Sequence, residues 1–248
     1  MQGHPYIRIE YLIGSDHLEK IKHAHVAIFG CGGVGSFAIE GLVRSGIKEM
    51  TLIDFDTIDV SNLNRQLMSN AHNIGQNKVE VMRERILSIH PDVQVHLKST
   101  YFTEESDLDF EPFDYVIDAI DAVPSKLEIM RRAEKAKVPL IMALGTARKL
   151  DPTQLRVSDL YHTSHCPLAK KVRNRARKEG LHTIKVVTSL EEAKEATFVP
   201  ELNKVVVGSM IFVPASAGLL LASTVVQDLC QDDVIIKKMK TGKLWNEN

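Results

Sequence analysis

Forty-two residues, His25 to Gln66, constrain this chain more than any others: HVAIFGCGGVGSFAIEGLVRSGIKEMTLIDFDTIDVSNLNRQ. They read as an apolar strand, a turn with four glycines, a helix, a second strand ending in Asp54, and a polar loop. Gly30, Gly32 and Gly35 hold the spacing G-x-G-x-x-G, and Gly33 adds a fourth glycine. Such a turn lets backbone approach a phosphate closely, and the helix behind it offers free N–H groups and a positive dipole end. Asp54, 21 residues beyond Gly33, closes the second strand. A carboxylate there can accept both hydroxyls of a ribose. Alone, this stretch specifies a nucleotide site on a doubly wound sheet and no particular chemistry.

The flanking sequence extends the same pattern. Val26 to Phe29 is apolar throughout, as a strand covered on both faces should be. The helix from Gly33 to Ser45 is expected to turn Phe37, Ala38, Leu42 and Val43 to the sheet, and Gly46 closes it. Met50 to Ile53 is the second strand. The polar stretch from Asp56 to Asn77 is longer than a strand-to-helix connection needs, which at the carboxyl end of a parallel sheet points to function. Val79, Met82, Ile86 and Ile89 recur at helical spacing between Asn77 and His90, and Pro91 ends the run. Strands follow at Val93–Leu97, Phe113–Asp118 and Pro139–Leu144, with a helix over Ser125–Ala136. This order predicts an α/β fold: a doubly wound, mainly parallel Rossmann-like sheet with helices on both faces.

Beyond it, Gln154–Leu160 and Ile184–Thr188 read as strands, Cys166–Lys178 as a basic helix and Glu191–Lys204 as a mobile loop. Pro214–Leu229 reads as a buried helix. Ahead of the core, residues 1–24 form an arm and a helix that starts at Gly14-Ser15-Asp16 and carries Leu18 and Ile21 on one face. No linker interrupts the chain. The expectation is one domain: arm 1–24, nucleotide-binding core 25–145, and a substrate and dimer portion 146–248 that extends the same sheet.

Composition narrows the partners. The 248 residues are 44% hydrophobic and 25% charged, enough apolar material for a sizeable core. A net charge of −1 excludes a globally basic nucleic-acid binder but not a local basic patch. Three scattered cysteines, Cys31, Cys166 and Cys230, argue against a disulfide framework and for a reducing, cytoplasmic setting. No Cys-x-x-Cys occurs, so zinc of the usual structural kind is not expected. The N-terminus, MQGHPYIRIEY, has no apolar leader region. The longest uncharged run, Val205 to Gln227, contains Pro214 and two glycines and fits a buried helix better than a membrane span.

Three groups after Asp54 carry chemistry. Asp56 with Ser61-Asn-Leu-Asn64-Arg65-Gln66 joins a guanidinium fork suited to phosphate with amides suited to ribose or carboxylate. Lys78 opens a helix, where a cation opposes the dipole unless an anion sits beside it; a solvated surface lysine is the plainer alternative. Asp118 and Asp121 close a strand at the switch point, where a carboxylate can hold Mg²⁺ against phosphate. Asp121 is the better candidate, with Asp118 open to a capping role.

Together the segments GCGGVGS, LIDFD, SNLNRQ, GQNKVE and VIDAID resemble the adenylating fold of the ubiquitin-activating enzymes. Its bacterial relatives include the molybdopterin-synthase and thiamine-biosynthesis adenylyltransferases. The resemblance spans residues 8–145. It implies that ATP activates a carboxylate as an acyl-adenylate. It also implies that Gly30, Gly32, Gly33, Gly35, Asp54, Asp56, Asn62, Arg65, Gln66 and Lys78 hold the nucleotide, and that Asp121 positions Mg²⁺. Arg65, Lys78 and Asp121 would be catalytic, together with Arg8, an N-terminal arginine of the kind this family borrows from a partner subunit.

The C-terminal half is similar to one branch of the family. Asp151-Pro-Thr-Gln154, Asp159-Leu, Pro167-Leu-Ala, Lys185-Val-Val-Thr-Ser and Gly208-Ser-Met-Ile-Phe-Val-Pro resemble the branch that acts on threonylcarbamoyladenosine in tRNA, as does the N-terminal Glu10-Tyr-Leu-Ile-Gly14. That resemblance implies adenylation of the threonyl carboxylate, ring closure by the neighbouring carbamoyl group and net loss of water. The alternative is adenylation of the C-terminus of a small ubiquitin-like or sulfur-carrier protein. A nicotinamide oxidoreductase is a third reading of the glycine turn. It leaves Arg65, Lys78 and Asp121 unexplained. Implied cofactors are ATP and Mg²⁺, with a monovalent cation as an optional third. Implied partners are the modified tRNA, a second copy of the chain and a sulfur-transfer (desulfurase) protein, with no membrane.

Two features stand apart. Cys166 precedes Pro167 and could serve a thioester relay, as in sulfur-transfer relatives, or be an incidental thiol. Lys170, Lys171, Arg173, Arg175, Arg177 and Lys178 put six positive charges into nine residues. Such runs are commonly solvated faces, but a tRNA substrate favours phosphate contacts here.

Overall fold

A computed structural model describes residues 4–182 and 184–231. Residues 1–3 of the expected arm and 232–248 of the expected C-terminal portion lie outside them. The chain opens with two helices, α1 (Ile7–Ile13) and α2 (Ser15–His23), where the sequence suggested an arm and one helix. Leu18 and Ile21 are the buried face of α2, as expected. Then come β1 (His25–Phe29), α3 (Gly35–Ser45), β2 (Glu49–Ile53), α4 (Lys78–Ile89), β3 (Gln94–Lys98), β4 (Tyr115–Asp118), α5 (Val123–Ala136) and β5 (Leu140–Ala143). The C-terminal half supplies β6 (Leu155–Asp159), α6 (Pro167–Lys178), β7 (Lys185–Ser189), β8 (Thr197–Val199), β9 (Lys204–Val206) and α7 (Phe212–Cys230).

Seven strands form one sheet in the order β3-β2-β1-β4-β5-β7-β6. All pair in parallel except the edge strand β6, which runs antiparallel to β7. The chain builds outward from β1 to β3, then crosses to β4 on the other side of β1. A crevice therefore opens between the carboxyl ends of β1 and β4, the switch point where such sheets bind ligands. The central strands are buried on both faces, which is why they read as continuous apolar runs.

One face carries α2, α3, α4 and α7 over a large aliphatic core. The other carries α5 and α6, with Phe102, Phe110 and Phe113 closing over Phe29. α7 packs beside α3 on that face, against β5, β6 and β7. A Cβ on Gly41 would lie 2.8 Å from the Ala222 Cβ, and one on Gly218 only 2.2 Å from the Val34 carbonyl oxygen. Phe37 is half-buried and faces α7 across Gly218 rather than joining the fully buried row; Ala38, Ile39, Leu42 and Val43 form that row. Burial of Ile39, Leu42 and Val43 contributes roughly 1.5–3 kcal/mol each. Gly46 ends α3 at φ +108, in the left-handed cap expected of it.

α7 is long and apolar enough to cross a membrane by length and composition. Here Val213, Ala217, Gly218, Leu221, Ala222 and Val225 are buried within the fold. Near its end, Asp228 accepts hydrogen bonds from the Tyr115 hydroxyl (2.6 Å) on β4 and from Lys185 Nζ (2.7 Å to Oδ1) on β7, fixing the helix across the sheet.

The stretch Glu191–Lys204 corrects the sequence reading of a loop. Thr197–Val199 pairs antiparallel with Lys204–Val206 around a turn that places Asn203 in the left-handed region at φ +46. Asparagine tolerates that conformation, and β-branched residues on both sides favour strands. The short hairpin was hidden because each of its strands has only three residues.

Candidate active site

The glycine turn runs from the end of β1 to the start of α3 at Gly35, two residues later than the spacing suggested. Its tightness has a measurable cause. A Cβ on Gly35 would sit 1.7 Å from the Gly30 carbonyl oxygen, so no side chain fits there. Gly35 is therefore buried beneath the turn rather than facing the cleft, whereas Gly30, Gly32 and Gly33 line it. Gly30 itself stands at φ +92, within 2.9 Å of the Ala119 carbonyl for any added Cβ. These approaches leave room above the turn for a ligand and none for side chains within it.

The cleft at the switch point measures about 440 Å³, within the range of small-molecule sites. Asp54, Asp56, Asn62, Arg65, Gln66, Lys78 and Asp121 all line it, so ten of the eleven expected nucleotide residues meet around one space and Gly35 supports them from below. Asp54 is buried; its Oδ2 accepts the Cys31 N–H at 2.7 Å and its Oδ1 the Asp56 N–H at 2.9 Å. Burial raises its carboxyl above the usual value, against the opposing pull of those N–H groups and Lys78.

Lys78 is no solvated surface lysine. It is 5% exposed, and its Nζ donates to Asp56 Oδ2 at 2.6 Å. The backbone makes the pairing local: Lys78 N–H donates to the Asp56 carbonyl, and Thr57 bridges to Asn77. The carboxylate relieves the conflict between an ammonium and the first turn of α4. Asn62 closes a 3₁₀ turn whose capping box joins Asp59 and Asn62. From this turn Arg65 projects beside Gly33, its guanidinium donating to the Ser61 carbonyl and to Asn64 Oδ1. Gln66 is buried, and its Oε1 has no hydrogen-bond partner among the described residues.

Asp118 and Asp121 stand in different surroundings. Asp118 is fully buried and its Oδ1 accepts from the Ile120 N–H and from Lys126 Nζ at 3.0 Å. Burial raises its carboxyl, with Lys126 opposing. Lys126, also fully buried, donates to the Ala143 carbonyl at 2.8 Å and so ties the ends of β4 and β5. Asp121 is exposed and faces the cleft, the one of the pair available to a cation.

Sequence reasoning passed over several of the walls. Lys126 was hidden because one lysine on a helix normally points to water. Phe55 and Tyr101, ring centroids 4.9 Å apart, form an exposed aromatic pair at the cleft. Their signal was an aromatic shortly after each strand, Phe55 two residues past β2 and Tyr101 three past β3. Gly145, Thr146 and Ala147 after β5, and Val207, Ser209 and Pro214 from the C-terminal half, complete the lining.

Other expected residues stand elsewhere. Arg8 is exposed on α1, outside the cleft of its own chain, and neighbouring Tyr6 packs near Gly46 and stacks on His90 at the opposite end of the sheet. Cys166 is buried, its Sγ capping α6 by accepting the Ala169 N–H, while its neighbours Gly145 and Leu168 reach the cleft. On α6, Lys170, Lys171, Arg175 and Lys178 are exposed. Arg173 is not a free cation as expected: it is half-buried and donates to the Thr163 carbonyl and hydroxyl at 2.7 and 2.6 Å. Arg177 is exposed but stacks over the Tyr161 ring at 5.2 Å.

Comparison with known proteins agrees with this geometry. The model of the ThiF family matches residues 6–248. A tRNA threonylcarbamoyladenosine dehydratase of Bacillus subtilis (strain 168) is 38% identical over 251 residues, covering 96% of this chain and 98% of that one. The crystal structure of the E. coli tRNA N6-threonylcarbamoyladenosine dehydratase in complex with AMP superposes with a TM-score of 0.81 at 34% identity, over 89% of this chain and 91% of that chain. The same E. coli protein in complex with ATP gives 0.79 at 31% identity, over 96% of both chains.

Proposed function

The chain belongs to the ThiF family, and from that footing we propose that it catalyses the ATP-dependent dehydration of threonylcarbamoyladenosine in tRNA, by adenylating the threonyl carboxylate. The observation that carries this reading is the convergence of Arg65, Lys78 and Asp121 on the cleft that also holds the glycine turn and Asp54. A dinucleotide site has no use for that trio.

The roles follow from position. Asp54 accepts the ribose hydroxyls, and the adenine rests against Phe55 and Tyr101. The glycine turn gives the phosphates close backbone approach. Gln66 lines the same cleft beside Arg65. Lys78 exchanges Asp56 for phosphate oxygens, and Arg65 lies across the α-phosphate where negative charge grows during carboxylate attack. Asp121 is the residue that would hold Mg²⁺, which when bound neutralises phosphate charge. A carboxylate lacks a usable leaving group; as an acyl-adenylate it has AMP. The tethered carbamoyl group then closes the ring, and proximity supplies much of the rate.

The remaining assignments are part of the same proposal. We read arm, core and C-terminal portion as one domain, supported by a single sheet that takes strands from both halves. A second copy covers the exposed apolar stretch of Val205, Val207, Met210, Ile211 and Phe212 beside the cleft. Arg8, outside its own cleft, acts only from such a copy. The exposed cations of α6 meet tRNA phosphates. Three free cysteines, two of them buried, suit a cytoplasmic protein.

The decisive experiment incubates the protein with ATP, Mg²⁺ and threonylcarbamoylated tRNA, then digests and weighs the nucleosides. The expected product is lighter by one water, and its formation depends on Arg65 and Lys78. Unchanged nucleoside, with ATP instead consumed on addition of a carrier-protein tail, would replace this reading with the carrier-activating one.

A further inference from the structure

Three neighbouring strands gather a second cluster at the end of the sheet opposite the cleft. His25 on β1 stands in register with Glu49 on β2, and Thr51 on β2 with His96 on β3. Side chains alternate along a strand, so His25, Glu49, Thr51 and His96 share the face that carries Ala27, Phe29 and Ile53. Glu49 Oε1 lies 3.0 Å from His96 Nε2 and 3.6 Å from His25 Nδ1. The three donor atoms all fall within 4.8 Å of one another.

A plain ion-pair network would use the same residues, but two observations favour a different occupant. The first is the distances. Tetrahedral zinc at about 2.0–2.1 Å from its ligands sets neighbouring ligand atoms about 3.3 Å apart, and the two contacts of Glu49 Oε1 bracket that spacing. The His25–His96 separation closes by rotation of His96, which is half-exposed on the edge strand.

The second is the state of His25. Its Nε2 is held by the Thr51 hydroxyl at 2.9 Å, and its ring packs edge-on against Phe113. This is the outer contact that orients a metal-binding imidazole and leaves Nδ1 for the ion.

We propose that His25 Nδ1, Glu49 Oε1 and His96 Nε2 form a binding site for zinc or a similar imidazole-preferring divalent transition metal, linking β1, β2 and β3 across the sheet. Two histidines and a carboxylate make up an established zinc ligand set, with the fourth position left to water. The site is separate from the nucleotide cleft and contains no cysteine, so the missing Cys-x-x-Cys pairs do not bear on it.

The test uses the full-length chain without an affinity tag, stripped with chelator and titrated with Co²⁺ as a spectroscopic substitute for zinc. Saturable one-to-one binding with visible ligand-field bands, competed away by Zn²⁺, is the expected result. His96→Ala and Glu49→Gln, both at partly exposed positions, should each weaken it at least about tenfold, while nucleotide affinity and the circular-dichroism spectrum stay unchanged. Absence of a one-to-one Co²⁺ complex at millimolar metal would overturn the proposal. So would His96→Ala protein that binds as tightly as the parent, since the metal would then sit elsewhere.

Discussion

Replacing Lys126 by methionine should be among the most damaging single changes in the core. Lys126 and Asp118 are both 0% exposed, 3.0 Å apart, and Lys126 also donates to the Ala143 carbonyl at 2.8 Å. Methionine fills much of the same volume, so the cavity contribution is small. What remains is a buried carboxylate whose Oδ1 keeps the Ile120 N–H and whose Oδ2 has no partner among the described residues. Removing one member of a buried pair typically costs about 3–5 kcal/mol. The pH dependence sharpens the test. Burial already raises Asp118 above its ordinary value, and Lys126 is the first force opposing that rise. In Lys126→Met the folded-state pKa climbs further. An acid raised on folding favours the fold when protonated, an advantage lost as pH rises through its folded pKa. The penalty should therefore be largest near neutral pH and shrink as the solution is acidified. Urea denaturation of both proteins across a pH series measures this. A penalty under about 1 kcal/mol, or one independent of pH, would refute the account of an uncompensated buried charge.

Other outcomes follow from the same geometry. Gly35→Ala forces a Cβ to within 1.7 Å of the Gly30 carbonyl, so the turn must open; calorimetry should show nucleotide binding abolished, with a fall in stability of about 1–3 kcal/mol or more. Lys78→Met should leave the thermal midpoint nearly intact but slow adenylation about 10²–10³-fold, read by pyrophosphate exchange. Replacing Lys170, Lys171, Arg175 and Lys178 with alanine should weaken tRNA binding without altering ATP affinity. Its salt dependence should flatten by up to about 0.9 log units for each phosphate no longer engaged. Arg173 is kept out of that set because its bonds to Thr163 hold the segment before α6.

Legibility in the sequence tracked how local the cause was. The strands of the sheet and the glycine turn were readable because apolar runs and glycine spacing act over a few residues. Of the ten cleft residues, the glycines, Asp54 and Asp121 were readable because they close or follow strands whose ends lie together, whereas Asn62, Gln66 and the role of Lys78 came from the family resemblance. What escaped depended on distant neighbours. Phe37 faces away from the fully buried row because α7, more than 170 residues later in the chain, covers α3 through Gly218. The burial of Lys126 depends on the end of β5, and the pairing of Arg173 on Thr163, ten residues upstream. The hairpin of β8 and β9 escaped for another reason: two strands of three residues each are too short for alternation to register.

The ion pair of Lys78 and Asp56 bears on how the cleft waits for its substrate. A lysine with 5% exposure cannot keep its charge solvated, and the first turn of α4 repels it. Asp56, half-buried at 2.6 Å, supplies the missing counter-charge. A triphosphate entering the cleft therefore does not find a bare ammonium. It must replace one anionic partner with another, so the gain from Lys78 in ground-state binding is a difference between two similar attractions and stays small. During carboxylate attack the α-phosphate collects more negative charge than Asp56 can offer, and the balance tips toward phosphate. A residue held in this way contributes chiefly to the transition state, which is the form of binding that raises turnover. The kinetic signature is specific: Lys78→Met should depress kcat while leaving the dissociation constant for ATP within about threefold of the parent. A defect that appeared mainly in ATP affinity would mean that Asp56 releases the lysine before the nucleotide arrives.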